Sequence, residues 1–328
     1  MNTINPQTRS LPVVSVVTPT YNQASYLRDT IESVLSQDYP RIEYRVYDDG
    51  STDSTREILA EYNGRVEWET HPNMGQTPTI NKGWKLAVGD ILTWLNSDDT
   101  FLPGAVSWAV AYLQKHPEVD IVYGDTLFTC SDGTPIEKNR VIKGFEKGFD
   151  YEKFVLQCEN PIPQPSSFIR RRVIDRVGML DPAYYYFMDW DFWLRAGLQH
   201  RIVYVPEVLS TYRLHSESKT VSQSLKAAPE LERMYKLYFE NRDLPKNILK
   251  IKSKAMANMY FATGGYLLKG DDRISALAAS QKALLSDPWL LTTRQGLQKL
   301  AYCSLGHKSM YKWGRSTWYQ IQEVVGLR

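Results

Sequence analysis

Little in these 328 residues points to covalent or metal cross-linking. There are three cysteines, Cys130, Cys158 and Cys303. They are far apart, odd in number and free of any Cys-x-x-Cys spacing, which excludes a disulfide framework and a zinc ribbon and makes a reduced compartment the expectation. No run approaches the roughly 18 consecutive apolar residues of a spanning helix. Residues 1–12 are polar and lack the apolar centre of a secretory signal, so an extended or disordered N-terminus and a cytoplasmic location are expected. An excess of one charge is missing too: 39 Lys and Arg stand against 37 Asp and Glu, a net +2, which by itself argues neither for nor against nucleic acid, and no nucleic-acid partner is expected.

What is present is a chain 43% hydrophobic, enough for a large domain and a smaller one, each with its own core. Charge is unevenly spread. Residues 225–328 hold 17 basic against 8 acidic side chains, so +9, and the remainder holds 22 against 29, so −7. An acidic front and a basic tail imply two parts with different tasks. The 9 Trp and 21 Tyr suit stacking on planar or sugar-like ligands, and suit cores equally.

β-branched and apolar runs at 13–18, 42–47, 66–70, 91–95 and 121–123 read as strands. Between them, Leu27, Ile31, Val34 and Leu35 recur at helical spacing. Ser54 to Glu57 has the form of a capping box, 76–88 reads as a helix stopped by Gly89, and Pro103 takes the first position of another helix. This alternation predicts parallel crossovers and an α/β sheet covered on both faces. Ligands of such sheets bind beyond the carboxyl ends of the strands. Residues 125–212 are mixed, with short strands and one helix at 191–198. After Ser224 the pattern is all-helical, broken at Gly264-Gly265, Asp271-Asp272, Asp287-Pro288 and Gly306 into four or five helices.

Four clusters at strand or helix ends carry chemistry. Asp48-Asp49-Gly50-Ser51-Thr52-Asp53 gathers carboxylates and amides at one rim; turn chemistry alone would also explain it. Gly50 stands where a phosphatase of the Asp-x-Asp-x-Thr type needs its second acid. Asn96-Ser97-Asp98-Asp99 places adjacent acids after the most apolar strand, a setting suited to a hard divalent cation with oxygen ligands, or to Asp99 capping the next helix. In 187–195, Asp189 and Asp191 alternate with large aromatics, where burial raises an acid toward the range of a general base; Asp191 also has Arg195 at i+4. His215, among hydroxyls and cations, suits a metal or phosphate contact or a structural place.

Taken in order, Thr18-Pro19-Thr20-Tyr21-Asn22, the Asp48–Asp53 cluster, Asn73-Met74-Gly75 with Asn81-Lys82-Gly83, Asn96-Ser97-Asp98-Asp99, Gln164-Pro165-Ser166, Asp189 to Arg195 and Tyr212 to His215 resemble family 2 glycosyltransferases. The resemblance covers 13–220. It implies a GT-A fold, a Rossmann-like mixed sheet flanked by helices, with a catalytic domain at 13–222 (nucleotide-sugar half 13–125, acceptor half 126–222) and a helical C-terminal region at 223–328. It further implies metal-assisted, inverting transfer from a nucleotide-sugar, most simply a UDP-sugar, to a saccharide or lipid-linked acceptor, in the setting of cell-envelope polysaccharide synthesis. Pro19, Tyr21 and Asn22 would line the nucleoside pocket, Asp48 would accept from the base, and Gly75, Asn81 and Asn96 would approach ribose, diphosphate or sugar. Asp98 would hold Mn²⁺ or Mg²⁺ with His215 completing that site, Asp189 would be the base, and Gln164, Trp190 and Asp191 would lie on the acceptor side.

Three departures from the family pattern stand out: Asn96 replaces the first acid of the Asp-x-Asp motif, Ile80 replaces a basic residue, and Met188 replaces the acid before Asp189. The changes at Asn96 and Met188 keep open a non-catalytic member that binds nucleotide-sugar or glycan. A nucleotidyltransferase would need a Gly-rich basic loop where Pro19-Thr20-Tyr21-Asn22 stands. The tail mixes Lys308, Lys312 and Arg315 with Tyr311, Trp313 and Trp318. Three roles follow from it: an ordinary bundle face, a homodimer contact, or peripheral contact with an anionic membrane.

Overall fold

A computed structural model describes residues 11–138, 145, 147–215 and 224–305. The expected N-terminus up to residue 10, the hydroxyl-rich stretch after His215, the break at Gly306 and the aromatic-basic tail at 308–318 lie outside the described residues. The chain forms two compact units: Met1–Thr126 with Gln164–Met179 and His200–Tyr212, and Leu127–Pro163 with Leu180–Gln199 and Arg213–Arg328. The first unit is built from three stretches of chain, which leaves it after residue 126 and comes back to it at Gln164 and at His200.

In the first unit, β1 (Val14–Thr20), α1 (Ala24–Leu35), β2 (Ile42–Asp48), α2 (Thr55–Glu61), β3 (Glu67–Thr70), α3 (Gln76–Leu86) and β4 (Ile91–Trp94) alternate as expected. β1 pairs in parallel with β2 and β4, and β2 with β3. The remaining strands depart from the parallel expectation. β5 (Thr100–Phe101), β6 (Ile121–Thr129), β8 (Ser167–Arg170) and β9 (Ile202–Arg213) extend the sheet in the order β3-β2-β1-β4-β8-β6-β9-β5, with β4–β8, β6–β8 and β5–β9 antiparallel. β9 is one twelve-residue strand where short strands were expected. The sheet is therefore mixed, and helices α4 (Ala105–Lys115) and α6 (Arg171–Val177) complete the unit.

Val14, Val16, Leu27, Ile31, Val46 and Leu59 have no exposed surface. Each such aliphatic side chain contributes about 1.5–3 kcal/mol relative to exposure. Register matters more for function. Thr20 lies opposite Asp48, and Asp48 opposite Thr70, so the carboxyl ends of β1, β2 and β3 are level and their loops share one edge.

Local details correct the expected boundaries. The capping box is absent: Ser54 makes no side-chain cap, and Asp53 Oδ1 instead accepts from the Thr55 amide at 3.1 Å. α3 ends at Leu86 because the next amides are taken by side chains, Val88 N–H by Glu43 and Gly89 N–H by Ser15 Oγ, each at 2.8 Å. α4 begins at Ala105 behind a Gly104 cap, so Pro103 precedes the helix.

The second unit contains β7 (Pro135–Lys138), paired with the last residues of β6, then α5 (Tyr151–Gln157), α7 (Met188–Gly197), α8 (Ser224–Glu240), α9 (Lys246–Lys269), α10 (Arg273–Ser286) and α11 (Arg294–Leu305). The break expected at Gly264-Gly265 does not occur; both glycines lie inside α9. A Cβ at Gly264 would stand 3.0 Å from Cys303 Sγ and 3.8 Å from Ala279 Cβ, so the missing side chain serves close helix packing. Breaks at Asp271-Asp272 and Asp287-Pro288 are present.

Candidate active site

The level edge of the first unit is tied together by its own loops. Asn22, with φ +52°, donates its amide to Ser51 Oγ at 2.9 Å and accepts from the Thr52 amide at 2.8 Å. Tyr21 beside it is 47% exposed, whereas Pro19 is buried in β1. Asp48 is fully buried. It accepts from Ser51 N–H (2.9 Å), Thr70 Oγ1 (3.0 Å) and Arg56 Nε (3.3 Å), which occupies three of a carboxylate's roughly four acceptor positions.

Asp49 holds the next loop. Its two oxygens accept from the Met74 and Gly75 amides at 2.7 and 2.9 Å, and His71 Nδ1 lies 3.4 Å away. Gly50 makes this possible: its φ is +77°, and a Cβ there would come within 2.9 Å of Asn73 N. Burial on its own would raise the Asp53 carboxyl, but hydrogen bonds from Thr55 and from the Ala24 amide outweigh it and hold the group below its ordinary value. Asn81 is half-buried on α3.

After β4, Asn96 is a hub. Its Oδ1 accepts from Gln76 Nε2 at 2.8 Å, and its Nδ2 donates to Gln164 Oε1 at 3.1 Å and Asp99 Oδ2 at 3.3 Å. Gln164 is fixed in turn by donating to the Trp94 carbonyl at 2.6 Å. The structure therefore joins Gln164 to Asn96 within the first unit. Asp99 is buried and does not cap α4; Asp98, next to it, is half-buried.

In the second unit, Asp189 is half-buried in the first turn of α7. Its Oδ2 accepts from Asn160 Nδ2 at 3.1 Å and its Oδ1 from the Trp190 amide at 2.8 Å. Asp191 makes the expected i+4 ion pair with Arg195 at 2.9 Å; burial raises its carboxyl and Arg195 partly offsets that. Trp190 is 5% exposed and packed among Phe154, Phe187 and Tyr235, which gives it a core position. His215 is buried directly after β9. Asp98 belongs to the first unit and His215 to the second.

The sequence profile described as "Glycosyl transferase family 2" matches residues 15–178, half of the chain. The chain belongs to that family. A relative named putative teichuronic acid biosynthesis glycosyltransferase TuaG, from Bacillus subtilis, is 34% identical over 132 residues, covering 39% of this chain and 52% of that protein. Staphylococcus aureus TarS 1–349, solved in complex with UDP-GlcNAc, superposes with a TM-score of 0.66 at 18% identity over 92% of both chains. The mannosyltransferase PcManGT of Pyrobaculum calidifontis, solved with GDP-Man and Mn²⁺, gives 0.60 at 18% identity over 98% of this chain and 87% of that one. The fold is thus GT-A, as the resemblance implied, with additional C-terminal helices.

Among the described residues, no group of three or more His, Cys, Asp or Glu side chains is arranged to hold an ion. A hard cation bound to a nucleotide is usually held by one or two carboxylates together with the substrate's phosphates, so Asp98 alone fits that mode. Among the described residues no helix is long and apolar enough to cross a membrane.

Sequence reasoning missed three residues of this glycosyltransferase. Asp49 was visible in its motif, but nothing local shows that it clamps a loop 25 residues away. Gln76 carries no motif signal for its bond to Asn96. Asn160 stands before Pro161, a turn signal that does not reveal Asp189 as its partner.

Proposed function

We propose that this glycosyltransferase moves a sugar, with inversion, from a UDP-sugar to a hydroxyl of a growing glycan or lipid-linked saccharide of the cell envelope. The single observation that carries the donor half is the level edge of β1 to β3, with exposed Tyr21 and the clamped Gly75 loop beside it and half-buried Asp98 in the loop after β4. Neighbours of the same fold bound to UDP-GlcNAc and GDP-Man support the donor class, and the teichuronic acid relative supports a polysaccharide acceptor.

In this reading Pro19, Tyr21 and Asn22 frame the nucleoside and Asp48 keeps its fourth acceptor position for the base. Gly75 and Asn81 approach the ribose or diphosphate. Asn96 orders the rim through Gln164 and Gln76. Asp98 would hold Mn²⁺ or Mg²⁺, which when bound neutralises charge on the departing diphosphate. Asp189 removes the acceptor proton as that oxygen bonds to the anomeric carbon and the nucleoside diphosphate leaves with the electrons of the broken bond. One displacement inverts the centre and needs no covalent intermediate.

The test is nucleotide release from UDP-, GDP- and dTDP-sugars, with Mn²⁺ or with EDTA. Release from a UDP-sugar that EDTA abolishes is expected; release from a GDP- or dTDP-sugar alone overturns the base assignment, and release indifferent to EDTA overturns the metal. Asp189→Asn should abolish transfer and leave donor affinity, by calorimetry, within about twofold. Wild-type turnover in that variant removes Asp189 from the mechanism.

A further inference from the structure

We infer that Asn160 is a positioning residue for Asp189, and that the C-terminal helices hold the loop presenting it. The inference rests on the reading of Asp189 as the base. A base must present one oxygen to the acceptor hydroxyl, and a carboxylate whose other contacts are weak samples several rotamers. Asn160 Nδ2 donates to Asp189 Oδ2 at 3.1 Å, while the backbone N–H of Trp190 engages Oδ1 at 2.8 Å. The two donors fix the plane of the carboxylate at the start of α7.

Asn160 is itself held. Its Oδ1 accepts from the Ile162 amide at 3.1 Å, so the amide group cannot flip without losing that bond and facing Asp189 with an oxygen. The preceding residues are braced from the C-terminal helices. Asn258 of α9 donates to the Leu156 carbonyl at 2.8 Å, and Lys299 of α11 donates to Asn258 Oδ1 at 2.7 Å. Tyr235 of α8 donates to the Val155 carbonyl at 3.1 Å. Cys158, at the end of α5, takes φ +53° and turns the chain toward Asn160. Lys299 is half-buried and its desolvation lowers its pKa, while Glu159, raised by desolvation, draws on the same lysine. Three helices absent from the matched 15–178 segment therefore converge on the five residues before Asn160.

The experiment separates orientation from folding. Asn160→Asp is isosteric and keeps the bond to Ile162 N–H, but it replaces the donor facing Asp189 with an acceptor. Asn160→Ala removes both. Turnover is read as nucleotide release from the UDP-sugar giving the highest rate in the panel, and binding as UDP calorimetry. Thermal melts confirm that each variant is folded.

Losing one hydrogen bond to a charged group lowers kcat by about tenfold to a hundredfold. Both variants should show that loss with UDP affinity and donor KM unchanged, and Asn160→Asp should lose at least as much as Asn160→Ala. Wild-type kcat in a folded Asn160→Asp, alongside an inactive Asp189→Asn, overturns the positioning role and leaves the base assignment standing. Wild-type kcat in Asp189→Asn removes the base assignment and this inference with it. A loss expressed in KM alone would make Asn160 a binding residue and overturn positioning.

Discussion

Asp48, Asp49 and Asn96 show how a motif residue's chemistry is set by donors the motif does not contain. The adjacent carboxylates Asp48 and Asp49 face different ways because successive residues beyond a strand diverge. One closes its own turn and the other closes the Gly75 loop. Asn96 takes the place of an acid in the family pattern, and its amide is matched to its surroundings: Gln164 Oε1 and Asp99 Oδ2 need a donor, and Gln76 Nε2 needs an acceptor. Gln164 cannot turn its amide over without giving up the Trp94 carbonyl. Asn96→Asp should therefore destabilise the protein by about 1–3 kcal/mol although it restores the usual acid, because it sets a charge against two acceptors. A chemical-denaturation midpoint equal to wild type would show that the hub does not discriminate. The identity of Asn96 was legible in the sequence; its partners, 20 and 68 residues away, were not.

At the scale of elements, the first half of the chain was readable because each strand and helix carries its own period and turn signal. β1 to β4 and α1 to α3 appear within a few residues of expectation. Misreadings came where tertiary contact outweighed local preference. Gly264-Gly265 has the look of a break, yet α9 runs through it because two neighbouring helices reward the absence of a side chain there. Gly264→Val should cost about 1–3 kcal/mol through overpacking against Cys303 and Ala279, in spite of valine's better fit to a helix than glycine's. Urea unfolding measures it, and an unchanged or higher midpoint would mean that the contact relaxes freely. The antiparallel strands β8 and β9 were likewise hidden, since a strand's direction depends on the distant segment it pairs with and not on its own residues.

Over the whole molecule, the C-terminal helices share a compact unit with α5 and α7: Tyr235 packs against Trp190, and Asn258 and Tyr235 bond to the α5 backbone. A chain ended after residue 222 should therefore aggregate or bind hydrophobic dyes, having lost the cover over Phe154 and Trp190. A soluble, monodisperse 1–222 fragment would instead support a domain boundary at that point. By itself the sequence determined the family, the parallel strand–helix start, the absence of a long apolar helix among the described residues and the residue types at the rim, since these depend on local periodicity and on short motifs. Only the tertiary structure decided the mixed strand order, the pairing of Asp189 with Asn160, the hub at Asn96 and the burial of Trp190. Those depend on which distant segments meet, and a hydrogen bond or a packed ring leaves no periodic trace in the chain that makes it.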